Sequence, residues 1–250
     1  PSGQAIQLLR QLMDTAQKTV IFTGAGVSTE SGIPDFRSPG RLWTRQKPIY
    51  YDEFVKHNQL DDVIFGLLND QKFVHDPAYR RVKLVKLRQQ METAEFDPTL
   101  RDQVLAKVKR EYAGKGLFVR SSSNSEDLPN FSGAGLYTTV PNVRGDQELI
   151  DAIRKVWASL WNFEAYEARE RAGVDHSKIF MAVLLQEGIN SESSGVMIST
   201  DPFDPENRAA IYISAKRGLG IKVVEGQRIA EQIIFRPRTN AVQVLTRSAE

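Results

Sequence analysis

Five short runs rich in β-branched and aromatic residues crowd the last third of this chain, at 179–187, 195–199, 210–215, 229–236 and 241–245. Parallel neighbours need a crossover of a dozen or more residues, for which most of these connections leave no room, while a hairpin needs only a few. Much of the sheet that these runs form is therefore expected to be antiparallel. Upstream the pattern mixes helix and strand. Residues 116–120 (GLFVR) read as a strand that runs into a serine-rich loop. Residues 148–171 hold Leu149, Ile153, Val156, Trp157, Leu160 and Trp161 on one face and read as one long helix. Trp157 and Trp161, one helical turn apart, are expected in the core rather than in a ligand stack. The fold class is α/β (α+β).

Two further helices are announced by Asp76-Pro77 and Asp97-Pro98. Aspartate can accept from the free amides of the first turn, and proline at the first helical position gives up an amide that has no partner there anyway. Between Pro77 and Lys115 the chain carries ten basic and five acidic residues, which are expected on solvated helix faces. Near the start, Ile6, Leu8, Leu9, Leu12, Met13 and Ala16 keep a helical period, and residues 19–23 (TVIFT) read as a buried strand.

Composition narrows the function classes. The 250 residues are 41% apolar and 26% charged, as in folded domains, and the formal net charge is only +2. Bulk charge thus offers no attraction to nucleic acid or to a membrane. There is no cysteine, hence no disulfide frame, no cysteine zinc site and no thiol nucleophile. His57, His75 and His176 are too far apart in sequence to form a local metal cluster, and no metal ligands are assigned. No apolar run approaches the roughly 20 residues that span a bilayer, and no signal peptide is visible, so a cytoplasmic location is expected.

Two loops have the chemistry of phosphate handling. In the first, the strand at 19–23 runs into Gly24-Ala25-Gly26, where backbone amides and a helix N-terminus could face a pyrophosphate. Gly24 and Gly26 alone are weak signals. The unbroken stretch from Gly24 through Gly32-Ile33-Pro34-Asp35-Phe36-Arg37-Ser38, continuing to Leu42-Trp43, resembles the NAD-binding signature of sirtuins, the NAD-dependent protein deacylases. The resemblance implies a partial Rossmann-like βα segment in which Ala25, Gly26, Asp35, Phe36 and Arg37 line an NAD site. It ends near residues 48–54. The catalytic-histidine segment, the four-cysteine zinc module and the later nucleotide loop of that family have no counterpart in this sequence. Weak NAD affinity and no deacylase activity are expected.

The second loop begins at the end of the 116–120 strand: Arg120-Ser121-Ser122-Ser123-Asn124-Ser125, then Gly133-Ala134-Gly135 and Thr138-Thr139. A guanidinium offers a planar fork of donors suited to phosphate oxygens, and hydroxyls and glycine amides can wrap the rest. By residue type alone, a phosphate site and a plain serine-rich surface loop are equally good readings. The segment resembles the nucleotide-binding domain shared by phosphoenolpyruvate synthase, pyruvate phosphate dikinase and rifampin phosphotransferases. The likeness continues through residues 152–161, 181–187, 194–202 and Gly218-Leu219-Gly220, and covers about residues 50–250. It implies an ATP-grasp-like domain with a mixed or antiparallel sheet, binding ATP with Mg2+. Arg120, the one catalytic candidate, should contact the triphosphate beside Ser121. Gly133, Gly135 and Thr139 should belong to a glycine-rich flap, Gln186 and Glu187 to the adenine hinge, and Gly218 and Gly220 to a second basic turn with Lys216 and Arg217. In that family a phosphohistidine domain and a phosphoenolpyruvate/pyruvate domain act on the same phosphoryl group, and neither is recognisable in this sequence.

The expected division is thus 1–49, sirtuin-like, and 50–250, dikinase-like. A natural fusion, a chimera or a fragment would each produce it, and a chimera or fragment is favoured because neither site is whole. An ATP-binding part of a phosphotransferase is the leading function. An NAD-binding deacylase module and a non-catalytic scaffold are the alternatives.

Overall fold

The structure, a computed structural model, describes residues 51–128, 131–133, 135–189, 191–198, 200–204, 209–218 and 230–247. The helix, strand and glycine loop expected within residues 1–50 lie outside the described residues. The chain divides into two compact units, one containing residues 51–188 and the other residues 189–247.

The first unit starts with five helices, α1 (Tyr51–His57), α2 (Leu60–Asn69), α3 (Gln71–His75), α4 (Pro77–Thr93) and α5 (Pro98–Tyr112). Aspartates open three of them. Asp70 accepts from the Lys72 amide at 2.9 Å, Asp76 from Ala78 and Tyr79 at 3.0 Å each, and Asp97 from Leu100 at 2.7 Å. Each such cap is worth about 1 kcal/mol. The two Asp-Pro starts fall where the sequence places them, because a cap is local chemistry.

Strand β1 (Leu117–Ser123), a two-residue hairpin β2 (Asp127–Leu128) and β3 (Phe131–Ser132), and β4 (Val140–Val143) follow. Helix α6 (Asp146–Ala158), a 3-10 turn (Ser159–Trp161), α7 (Phe163–Arg171), a second 3-10 turn (His176–Lys178) and β5 (Met181–Glu187) complete the unit. Its main sheet has the order β4-β1-β5 with both pairs antiparallel. Helix α6 packs against β1, β4 and β5 on one side and α4 on the other. Trp157, with no exposed surface, anchors the core: Phe54 lies at 4.6 Å, Phe96 stacks at 5.4 Å, and Tyr51 meets its edge at 6.5 Å between ring centres. Trp161 is buried too, and its indole N–H donates to the Tyr51 hydroxyl at 2.7 Å.

Three expectations need correction. The helix read over 148–171 is broken at Ser159–Asn162, since Asn162 adopts an extended ψ of 140° and its side chain is used elsewhere. The run at 179–187 does not join the later strands; its residues 181–187 pair with β1. Not every cation of the 77–115 segment is solvated. Arg80 is buried, forks onto Glu167 at 2.7 and 2.8 Å, and donates to the Phe73 and Val74 carbonyls at 2.8 and 2.6 Å. It thereby satisfies carbonyls that the end of α3 leaves without amide partners.

The second unit is a four-stranded sheet of β6 (Ser193–Ile198), β7 (Ile211–Arg217), β8 (Glu231–Arg236) and β9 (Ala241–Thr246), antiparallel and in sequence order. The hairpin reading of this region holds. Ala210, Tyr212 and Ile234 form its buried cluster. Among the described residues of the whole chain, no helix is long and apolar enough to cross a membrane.

Candidate nucleotide site

Alternation along β1 and β5 decides which expected residues can act together. In the antiparallel register Arg120 faces Leu184 and Phe118 faces Gln186. Phe118, Arg120 and Ser122 therefore share one face with Ala182, Leu184 and Gln186, and all six are half-buried. The opposite face carries Leu117, Val119, Ser123 and Met181, buried on the side of α6. On the open face Arg120 Nη1 donates to Gln186 Oε1 at 3.1 Å. The guanidinium and the amide, drawn from separate parts of the sequence, meet as diagonal neighbours across two strands.

Two expected residues do not join them. Ser121 and Glu187 lie one step along their strands and so belong to the other face, because β1 stays regular through Ser123 and β5 through Glu187. The Glu187 carboxylate is paired with Lys115 at 2.7 Å. Ser122, which was not singled out, shares the face of Arg120; counting in twos along β1 would have found it. Immediately after β5, the Gly188 amide donates to the Gly116 carbonyl at 2.7 Å, and a Cβ at Gly188 would lie 2.9 Å from that same oxygen. Only glycine fits there.

The glycine-rich stretch is a folded loop. The Gly133 amide donates to the Glu126 carbonyl at 2.7 Å, and a Cβ there would press on the Glu126 backbone at 3.0 Å and the Tyr137 ring at 3.1 Å. Gly135 has φ +77°, a left-handed value that glycine adopts at little cost. Gly135 is exposed and Thr139 half-buried. The Gly133 amide is thus committed to the loop itself.

In the second unit, Gly218 closes the end of β7 with φ +88°. Its amide donates to the Glu192 carbonyl at 2.8 Å, and its carbonyl accepts from Ser194 and Ser191 hydroxyls at 2.6 and 3.1 Å. Among the described residues, Lys216 Nζ is buried without a hydrogen-bond partner. A buried ammonium without an acceptor is unfavourable, and an anionic ligand would relieve it. Arg120, with Gln186 on the same half-buried face, is a donor of the type a polyphosphate needs, so the residues of the first unit fit an ATP-like ligand. Among the described residues no three histidine, aspartate or glutamate side chains converge as a metal site. Gly220, and with it Ala25, Gly26, Asp35, Phe36 and Arg37 of the expected NAD site, lie outside the described residues. A cavity of about 200 Å3 elsewhere is lined by Glu53, Glu95 and Asp97 beside Phe54 and Trp157. Its carboxylates would repel a triphosphate.

Comparison with known proteins bears on the same residues. The family described as "Pyruvate phosphate dikinase, AMP/ATP-binding domain" matches residues 47–250. A probable phosphoenolpyruvate synthase of Pyrococcus horikoshii is 37% identical over 185 residues, covering 72% of this chain and 22% of that protein. The phosphoenolpyruvate synthase of Aeropyrum pernix is 38% identical over 216 residues, 84% of this chain and 26% of its own length. A probable phosphoenolpyruvate synthase of Methanocaldococcus jannaschii is 31% identical over 252 residues, 95% of this chain and 20% of its own. That last alignment extends into the first 48 residues. This chain spans about a fifth to a quarter of the length of these relatives. None of these matches supports the sirtuin resemblance or NAD. On the extent of the match, the chain belongs to the pyruvate phosphate dikinase AMP/ATP-binding domain family.

Proposed function

We propose that residues 50–250 form an ATP-grasp-like domain that binds ATP with Mg2+ and serves a phosphotransferase of the phosphoenolpyruvate synthase or pyruvate phosphate dikinase type. In such an enzyme ATP phosphorylates a carrier histidine, and the phosphoryl group then passes to a small acceptor. The observation that carries the reading is the meeting of Arg120 and Gln186 on the half-buried face of β1 and β5. A guanidinium beside a carboxamide offers, on one surface, charge for phosphate oxygens and a donor–acceptor pair for a purine edge. Arg120 would bind the triphosphate, Gln186 the adenine, and the loop from Gly133 to Thr139 would cover the phosphates. Independently of that surface, the second unit's turn at Lys216, Gly218 and Gly220 would offer phosphate donors of its own. Phosphoryl transfer depends mostly on positioning and on neutralising charge, which are the contributions these residues can make.

Calorimetric titration of the chain with MgATP and, separately, with NAD tests this. ATP alone should release heat. Arg120→Ala should weaken ATP by about 2–3 kcal/mol, roughly 30- to 150-fold, the range for losing hydrogen bonds to charged groups. An unchanged affinity in that variant would remove the reading, and heat from NAD alone would put a deacylase-type module in its place.

A further inference from the structure

Arg169, on α7, is buried with none of its surface exposed, and among the described residues no carboxylate lies within ion-pairing distance of it. Its three partners are neutral: the Leu160 carbonyl at 2.7 Å, the Tyr137 hydroxyl at 3.1 Å, and His176 Nδ1 at 3.4 Å. Loss of hydration holds the guanidinium below its usual basicity. Loss of hydration, with the adjacent Arg169 charge, also lowers the His176 pKa. A neutral imidazole carrying its proton on Nε2 can donate to Glu170 at 3.0 Å and still accept from Arg169. Tyr166 stacks on that imidazole with ring centres 4.0 Å apart.

If packing alone mattered, an apolar side chain would fill this place at lower cost, since a buried charge without a counter-charge is unfavourable. What the arginine does there is hold Tyr137, and Tyr137 lies within the glycine loop. The same stretch is gripped twice more from the broken helix. The Thr138 amide donates to Ser159 Oγ at 3.0 Å, and Asn162 Nδ2 donates to the Leu136 carbonyl at 3.0 Å. Asn162 is itself fixed by Arg88 at 3.0 Å. From the other side, the Tyr137 hydroxyl meets Ser125 Oγ at 3.0 Å, which meets Ser123 Oγ at 2.9 Å, three residues beyond Arg120 on β1. Three consecutive loop residues are thus tied to the 3-10 break and α7, and through hydroxyls to the strand of Arg120.

We infer that Arg169, acting through Tyr137 with Ser159 and Asn162, is a positioning residue that holds the loop at residues 135–139 in the geometry needed to cover a triphosphate. The inference rests on the ATP reading above. The stretch Ser159–Asn162 is then a working part of the site, because both side chains that grip residues 136 and 138 come from it. Tyr137→Phe keeps the ring and removes only the hydroxyl.

The test uses the full chain. Calorimetry with ATP and with adenosine is run on the parent, Tyr137→Phe, Ser159→Ala and Arg120→Ala, and backbone hydrogen exchange is followed at residues 136–139. The expected result for Tyr137→Phe is about tenfold weaker ATP, unchanged adenosine, and at least tenfold faster exchange of the Thr138 amide. Ser159→Ala should repeat the pattern and serves if Tyr137→Phe does not fold. Equal losses for ATP and adenosine would mean a merely structural role and overturn the inference. So would unchanged ATP affinity and exchange in both loop variants while Arg120→Ala loses ATP, an outcome that leaves the ATP reading standing. ATP binding by neither the parent nor any variant would remove the reading and the inference together.

Discussion

The two units of this chain achieve order by different means. Residues 51–188 bury a broad apolar cluster in which Tyr51 and Phe54 of α1 and Phe96, just before α5, converge on Trp157 of α6. Among the described residues of 189–247, only Ala210, Tyr212 and Ile234 form a buried cluster, while Val196, Met197, Ile198, Phe203, Val244 and Leu245 remain exposed. Buried apolar area is the main favourable term in folding, so the helical unit holds the stronger core and the sheet depends more on its backbone ladder. The contrast extends to the candidate ligand groups. Arg120 and the loop at residues 135–139 belong to the first unit and are braced by side chains. Lys216 belongs to the second, where the Gly218 turn is held by backbone and serine hydroxyls.

The largest expected effect that would sharpen this contrast is Trp157→Ala, which should cost about 3–5 kcal/mol. Denaturation followed by Trp161 fluorescence should show it, and a loss under 1 kcal/mol would break the picture of a core centred on that ring. Ile234→Ala should cost about 2 kcal/mol, near the lower end for such changes, because its cluster is small. Its loss should appear in far-ultraviolet dichroism with the tryptophan transition unmoved; a shift of both together would mean that the units unfold as one.

Acid supplies a smaller effect. His176 has a depressed folded-state pKa, so the unfolded chain binds more protons in the window below the ordinary imidazole value of about 6.5. The stability this group confers is complete above that value and declines as the pH falls toward the lowered one. Arg169 opposes the protonated ring, while Glu170 and Asp175 favour it. A melting series from pH 7.5 to 5 should lower the tryptophan-detected midpoint by a few degrees, and His176→Gln should flatten that slope. The smallest effect is expected for Met197→Thr on the exposed face of β6, within about 0.5 kcal/mol. A larger loss would show that this strand packs more tightly than its exposure indicates.

Local chemistry was legible in the sequence. Asp76-Pro77 and Asp97-Pro98 open helices because capping needs only three or four neighbouring residues, and β6 to β9 pair antiparallel, as their spacing implies. Decisions made across the fold were not legible. Nothing near residues 181–187 states that their partner is β1, and the apolar period of 148–171 gives no sign that Asn162 leaves the helix to hold a carbonyl at 136. At the candidate site, Arg120 and Gln186 were found by motif, and the structure brings them together. Ser121 and Glu187 are expected beside them on the same resemblance, and the structure places them on the opposite face, since neighbours along a strand alternate. The Tyr137–Arg169 contact joins residues 32 positions apart. Its only trace in the sequence is an arginine on the same helical face as Tyr166, a pattern shared with many exposed helices.

Gly116 and Gly188 meet where β1 begins and β5 ends, with Asn142 Oδ1 filling the place of a Cβ on one and the Gly116 carbonyl filling it on the other. That end of the strand pair is narrow gauge: the Gly188 amide is spent on the Gly116 carbonyl, and the Asn142, Arg144 and Phe118 side chains close in around the two glycines. A side chain added at Gly188 would have to prise β1 and β5 apart at that end, so the seam between them admits no residue with a Cβ there.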